Sequence, residues 1–421
     1  MAKFCFVSFA QPGHCDFGGM SYVRTAAALK NRGHEVQWVL SPHPQANLNA
    51  RAQKIIRDSG LHFKEFAGLH TRSKNVAEYA KNFGQHLKSS QYDCVVVDRL
   101  CVAAAFSAHF AGIPWATAGT DGRDWMLKRL RTIVNRGVFP GSWNASPMNS
   151  ISRSFYRDDF PKPSDKTMWA TSPFLNISFF PRAYYQNTTN LEHPKYSHFV
   201  GCGATPEPLA ENGYLLVTFG NVFNPLVRQK LLSLLKPLIR EHSINVLFLA
   251  GNIDVANSIR QTFRNNSGVE IREWMPYDQA YRGAICVIGH GGTSHIWYGL
   301  REGKPLLAVP LKADQYYGAF QLERLNVGRN VIPFVVPWLL PDLLRNIKYN
   351  MSPKASVYLS KRGLSAILHD LLTDITIRDS SIRLSRLMRN GGGVQASVSL
   401  LERLARFQEP VTNCVAPSCC C

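Results

Sequence analysis

Short apolar runs with strand-like patterning, many of them followed by a helical stretch, recur along the 421-residue chain. This alternation constrains the fold more than any other feature, because strand–helix repeats close as a parallel sheet wrapped by helices. In the first half, Phe4–Phe9, Glu35–Leu40, Cys94–Val97 and Pro114–Ala118 read as strands. Met20–Asn31 and Ala103–Phe110 read as helices, the second stopping at Gly112. A new series begins near Gly201. Its strands are Tyr214–Thr218, Asn245–Ala250, Ile285–Ile288 and Leu306–Val309, and its helices are Leu226–Glu241 and Ser294–Arg301. The pattern predicts two α/β domains, 1–200 and 201–380, with a cleft at the carboxyl ends of their sheets. Residues 381–408 form a helical closing segment broken at Gly391-Gly392-Gly393, and 409–421 a cysteine-rich tail. The Ser-, Asn- and Pro-rich stretch 137–170 has no period and reads as a long loop or flap over the cleft.

Apolar residues make up 45 % of the chain and charged ones 18 %, a globular composition. No run approaches the roughly 18 uninterrupted apolar residues of a membrane helix. Val331–Leu344 comes nearest and is broken by Pro333, Pro337, Pro341 and Asp342. Gln11-Pro12-Gly13-His14 follows Phe4–Ala10 where a signal peptide would carry its cleavage site, so the segment is expected to be a buried first strand. Cys5, Cys94, Cys101, Cys202 and Cys286 lie in or beside apolar runs and are expected to be reduced and buried, as in the cytoplasm. Asn187-Thr188-Thr189 is then a chance sequon. The net charge is +19, spread along the chain with its densest patch at Arg123, Lys128, Arg129, Arg131 and Arg136. Scattered charge argues for a solvated face or an anionic membrane more than for nucleic acid.

The chemistry is most concentrated at Gly289-His290-Gly291-Gly292-Thr293-Ser294, between a strand and a helix. Glycines allow a ligand close to the backbone, and a helix start offers unpaired N–H groups and a positive dipole end, which together bind phosphate. His290 can donate to the same anion. The plainer alternative is a structural turn.

The surrounding residues resemble the nucleotide-sugar glycosyltransferase superfamily that includes natural-product enzymes and the animal glucuronosyltransferases. The resemblance rests on His290-Gly291-Gly292-Thr293-Ser294-His295-Ile296-Trp297-Tyr298-Gly299-Leu300, then Gly303, Pro305, Pro310, Asp314 and Gln315. Trp274-Met275-Pro276 stands upstream and the glycine triplet at 391–393 downstream. It implies a GT-B fold, two Rossmann-like domains with parallel sheets facing a cleft and the donor held mainly by the second. Carried over, Trp274 stacks on the nucleobase. His290, Gly292, Thr293 and Ser294 meet the diphosphate, and Asp314 and Gln315 bind the sugar hydroxyls. Core packing is the alternative for Trp274, and an ordinary loop for Asp314-Gln315. Three positions depart from the pattern: Tyr298 stands where the family has a ribose-binding glutamate, His295 where it has a small hydroxyl residue, and Gly318 where asparagine is common.

In the first half the resemblance makes His14, after Gly13, the general base, a task suited to an imidazole. It makes Asp98, at the end of Cys94-Val95-Val96-Val97-Asp98, the acid partner that orients it. A loop histidine and a helix cap are the alternatives. The extra residues Cys15-Asp16-Phe17-Gly18-Gly19-Met20 make Asp16 a second candidate base. No Asp-x-Asp occurs and no histidine–cysteine spacing suits a metal, so the nucleotide-sugar is expected as a co-substrate with no metal or other cofactor. The implied reaction is inverting hexosyl transfer to a hydroxyl of a small lipophilic or lipid acceptor, held near Trp115, Trp125, Trp143, Phe155 and Tyr156 or merely walled by them. Two rivals stay open: a non-catalytic nucleotide-sugar-binding protein, and a transferase acting on a phosphorylated or nucleic-acid acceptor. The basic charge and the tail, with Cys414 and Cys419 to Cys421, suggest peripheral attachment to an anionic membrane.

Overall fold

The computed structural model describes residues 1–10, 15, 21–43, 46–69, 76–98, 101–118, 172–185, 196–204, 213–219, 225–264, 266–310, 313–332, 357–358 and 360–412. The loop 137–170, the basic patch at 123–136, the triplet at Asn187, most of Val331–Leu344 and the tail cysteines lie outside them.

Two compact units divide the chain. One contains residues 1–118, 172–204 and 390–412, and the other 213–389 among the described residues. In the first unit seven strands pair in parallel. They are β1 Lys3–Phe9, β2 Glu35–Ser41, β3 Phe63–Glu65, β4 Cys94–Asp98, β5 Trp115–Ala118, β6 Leu175–Ser178 and β7 Ser197–Phe199, in the order β3-β2-β1-β4-β5-β6-β7. The second unit repeats the plan with β8 Tyr214–Thr218, β9 Val246–Leu249, β10 Val269–Arg272, β11 Ala284–Gly289, β12 Leu306–Ala308, β13 Gly328–Ile332 and β14 Val357–Tyr358, in the order β10-β9-β8-β11-β12-β13-β14. Strand order therefore reverses between β1 and β4, and again between β8 and β11. Such switch points open the crevices in which α/β sheets bind ligands.

The central strands are apolar on both faces because each sheet is covered on both sides. In β1, Phe4 and Phe6 join Trp38, Leu40 and Val96 on one face, while Cys5 and Val7 join Val39, Val95, Val97, Phe83 and Phe106 on the other. Large rings inside the first face bring polar tips that are paired: Trp38 Nε1 donates to Ser8 Oγ at 3.0 Å, and Tyr22 Oη donates to the Val96 carbonyl at 2.9 Å. Cys5, Cys15, Cys94, Cys101 and Cys286 are buried and form no disulfide, whereas Cys202, expected to be buried, is only half-buried because it lies in the loop beyond β7. Burial, partly opposed by a hydrogen bond from the Val287 backbone, pushes the Cys286 thiol up to about 12, so it behaves as a small hydrophobe. Trp115 is also buried in the core, within β5, and is not a pocket wall; the other aromatics expected there lie outside the described residues.

The closing segment divides at its glycines. Helix Ile375–Arg389 packs on the second unit, where Ser385 Oγ donates to the Arg301 carbonyl at 2.6 Å. Helix Gly393–Phe407 packs in the first unit along Ser21–Asn31, adding Val398, Leu401 and Leu404 to its core. Glu402 there accepts from Arg32 at 2.8 Å and lies 3.0 Å from His34 Nε2. Between the helices the backbone runs against residues 200–203: Gly393 N–H donates to the Val200 carbonyl at 2.7 Å, and a Cβ on Gly393 would overlap the Cys202 carbonyl. Gly393 also sits at φ +52.

Gly393→Ala should therefore cost more than Gly33→Ala, whose φ of +87 is strained for alanine but whose surroundings are open. Urea unfolding should give a loss of about 1–2 kcal/mol for Gly33→Ala and about 1–3 kcal/mol beyond that for Gly393→Ala. Equal losses would mean that the glycine contact with residues 200–203 contributes nothing.

Candidate active site

β11 ends at Gly289, and the chain turns through His290, Gly291 and Gly292 into helix Thr293–Arg301. Gly292 caps that helix in extended geometry (φ −71, ψ 163) and has no side chain with which to cap its first turn. A helix start carries a positive dipole end that suits an anion. A Cβ on Gly292 would overlap the His290 imidazole, so that ring lies directly over the turn. Thr293 and Ser294 are partly exposed beside it.

Behind the turn stands His295, which the sequence marks only as a departure from the family pattern. It is buried, and its Nδ1 accepts the Gly291 N–H at 3.2 Å. Burial first, and then the neighbouring His290 charge, lower its pKa to about 3, with the Val287 carbonyl partly opposing them. At neutral pH it is thus uncharged, with Nδ1 as acceptor and the proton on Nε2. The two imidazoles stack with centroids 6.2 Å apart and planes at 27°. His295 fills the space over Gly289, where a Cβ would come within 2.7 Å of its ring.

Gly318 has an equally direct cause. It lies in helix Ala313–Arg324, which crosses so close to the turn that a Cβ would overlap Ile296 and reach the Gly291 carbonyl at 2.5 Å. Gln315, on the same helix, is buried, and its carbonyl would lie 3.0 Å from a Cβ on Gly291. Asp314 belongs to that helix, but its side chain lies outside the described residues.

Tyr298 is buried in an aromatic group. Its ring meets Tyr277 edge-on at 5.3 Å and Tyr281 at 5.4 Å, with the Arg301 guanidinium 5.0 Å above its face. Burial opposes the Arg301 charge, but Glu302 and Asp278 more than offset it and raise the pKa. Those two carboxylates lie 2.6 and 2.7 Å from Arg301. The position at which the sequence resemblance implies a glutamate is thus occupied by an aromatic ring over a neutralised cation. Trp274 is the opposite case: 73 % exposed just beyond the end of β10, it is not part of the core. Trp274, His290 and helix 313–324 all follow carboxyl ends of strands in one sheet. The order β10-β9-β8-β11 puts three strand spacings, about 14 Å, between the Trp274 and His290 positions.

In the first unit, Asp98 closes β4 and is fully buried. It is not the cap of the next helix, since the N-cap is Cys101, whose N–H donates to the Asp98 carbonyl oxygen at 2.7 Å. After burial, the Asp98 charge is the largest influence raising the Tyr22 phenol and the Cys101 thiol. His14 and Asp16 lie outside the described residues. Cys15, between them, is buried against the end of β1 with Sγ 3.5 Å from Ser8 Oγ, and it too raises Tyr22 and Cys101. Cys15 thus belongs to the group of buried side chains around Asp98. Among the described residues no three His, Cys, Asp or Glu side chains cluster for a metal.

Residues 215–347 match the model of the glycosyltransferase family 28 C-terminal domain. UDP-glucosyltransferase 2 of Dactylopius coccus is 21 % identical over 389 residues, covering 75 % of this chain and 70 % of that protein. The solved structure of the kitacinnamycin glycosyltransferase superposes with a TM-score of 0.68 at 16 % identity, covering 96 % of this chain and 98 % of its own. Glycosyltransferase VinC, solved in complex with dTDP, gives 0.62 at 16 % identity, with 96 % and 99 % covered. Both structures show that the two parallel-sheet units are those of the GT-B fold.

The buried imidazole at 295 leaves a pH signature. Its folded pKa of about 3 is depressed below the ordinary value of 6.5. Its contribution is therefore complete above pH 6.5 and is lost as pH falls through the window toward 3, by about 1.4 kcal/mol per unit. Urea unfolding of wild type and His295→Asn between pH 7 and 5 should give a stability difference that narrows with acid by about that slope. A difference independent of pH would contradict the neutral, buried histidine.

Proposed function

We propose that this chain, a glycosyltransferase of the GT-B fold, moves a sugar from a nucleotide-sugar donor to a hydroxyl of a small lipophilic or lipid acceptor, with inversion at the anomeric carbon. The observation that carries the proposal is the carboxyl edge of the second sheet. An exposed tryptophan at one place and a helix start roofed by an imidazole at another form a base platform and an anion site, a pairing suited to an extended nucleoside diphosphate. A UDP-glucosyltransferase among the relatives and a dTDP-bound structural neighbour support a pyrimidine nucleotide. Tyr298, a phenol in a packed group, offers the ribose one oxygen where a carboxylate would offer two. The buried cysteines, none of them in a disulfide among the described residues, fit a reducing, cytoplasmic setting, and among the same residues no helix is long and apolar enough to cross a membrane.

In the proposed reaction His14 takes the acceptor hydroxyl proton as that oxygen attacks the anomeric carbon. The bond from that carbon to the diphosphate oxygen breaks on the opposite face, and its electron pair leaves with the diphosphate. Asp98 orients His14 and stabilises the imidazolium that forms. Charge growing on the leaving group meets the Thr293 helix start and His290, donors fixed in place before the reaction. Asp314 and Gln315 bind the sugar hydroxyls.

Nucleoside diphosphate release from a donor and acceptor panel tests the base. His14→Ala should lower kcat by about 10²–10⁴ with donor affinity unchanged, and Asp98→Asn should lower it less. Wild-type turnover in His14→Ala together with loss in Asp16→Ala would transfer the role to Asp16.

Calorimetric titration with UDP and dTDP tests the donor side separately. His290→Ala should weaken the bound diphosphate roughly tenfold or more, and Trp274→Ala should weaken it by about as much through lost stacking. Unchanged affinity in either variant removes that residue from the site.

A further inference from the structure

Helix Ile375–Arg389 buries Ile377, Ser381, Leu384, Ser385 and Met388 against the second unit. At about 100° per residue these take one side of the helix, and Ile375, Asp379, Arg383, Arg386 and Leu387 come to the other. All five are exposed, Ile375 by 61 % and Leu387 by 44 %. Leu372, at the end of the preceding helix Lys361–Thr373, is exposed as well. The helix carries arginine at 378, 383, 386 and 389 against one aspartate, Asp379. Neither the donor chemistry nor the acceptor chemistry uses this face.

We propose that this face docks on an anionic lipid surface. Leu372, Ile375 and Leu387 enter the boundary between headgroups and acyl chains, while Arg383 and Arg386 lie among the lipid phosphates. Aliphatic side chains interleaved with guanidiniums on one helix face suit that boundary, where apolar insertion and charge act together. A single-stranded nucleic acid would instead call for aromatic platforms, and the exposed apolar side chains of this face are all aliphatic. The net charge of +19 adds attraction at longer range and complements an anionic leaflet. The docking is independent of the cysteine-rich tail and of the transfer reaction.

Co-sedimentation of the full chain with phosphatidylcholine vesicles, with and without a minority of phosphatidylserine, tests it. Wild type should bind only the anionic vesicles and be released at high salt. Arg383→Glu/Arg386→Glu should lower partitioning about tenfold or more, and Ile375→Gln/Leu387→Gln should lower it while leaving the residue of binding salt-sensitive. Lys230→Glu/Arg240→Glu, an equal charge change at exposed positions of helix Pro225–His242, should stay within about twofold of wild type. Matching thermal midpoints establish that each variant is folded. Absence of wild-type binding, wild-type behaviour of Arg383→Glu/Arg386→Glu, or an equal loss in the Lys230/Arg240 pair overturns the proposal. So does retention of single-stranded RNA in place of vesicles, which would make the face a nucleic-acid surface.

Discussion

At Gly291 three pieces of backbone meet so closely that a Cβ would press on the Gln315 carbonyl at 3.0 Å and on Ala308 at 3.2 Å. The end of β11, the start of helix Thr293–Arg301 and the first turns of helix Ala313–Arg324 approach so closely that a Cβ on Gly318 would collide with Ile296 and the Gly291 carbonyl. Gly291 adds a φ of +72, a backbone conformation that other residues adopt only with strain. His295 completes the arrangement from inside, accepting the Gly291 N–H and remaining neutral because it is buried. The donor chemistry proposed for this chain depends on that geometry. It sets a second imidazole, His290, beside the start of helix Thr293–Arg301.

Much of the fold is legible in the sequence because both sheets are buried on both faces. Apolar runs such as Cys94–Val97 and Tyr214–Thr218 have no plausible place but a covered parallel strand, and they lie there. The edges were harder to read. β3, β7 and β14 are three, three and two residues long, too short for a period to show. Helix Ala46–Asp58 buries only Ala52 and Ile56, so little of its apolar stripe is written in its composition. The glycine triplet at 391–393 was visible as a helix break. That it fits against residues 200–203, with the next helix packed on Ser21–Asn31, depends on contacts between segments nearly two hundred and about 370 positions apart.

The candidate site divides along the same line. Motif spacing locates the turn at 289–294, and the structure explains the departures from the family pattern by packing: His295 as an internal support, Gly318 as a close approach, Tyr298 as one ring of an aromatic group over Arg301. A signal for His295 was present in its spacing of four from Gly291, which brings a helical side chain back over its own N-terminal turn. The Arg301–Asp278–Glu302 group left no such mark, since its members come from two helices whose adjacency only the fold supplies. In the first unit, Asp98 is fully buried beside Tyr22 and Cys101, and Cys15 acts on the same two side chains, while His14 and Asp16 lie outside the described residues.

The central claim is that one nucleoside diphosphate spans the carboxyl edge of the second sheet, its base on Trp274 and its phosphates on the helix that starts at Thr293. A crystal structure of the chain soaked with UDP or dTDP tests it most directly. The account predicts phosphate oxygens within hydrogen-bonding distance of the Thr293 and Ser294 N–H groups and of His290, with the pyrimidine lying against the indole of Trp274. A diphosphate bound elsewhere, with the helix start bare and the indole untouched, would contradict it.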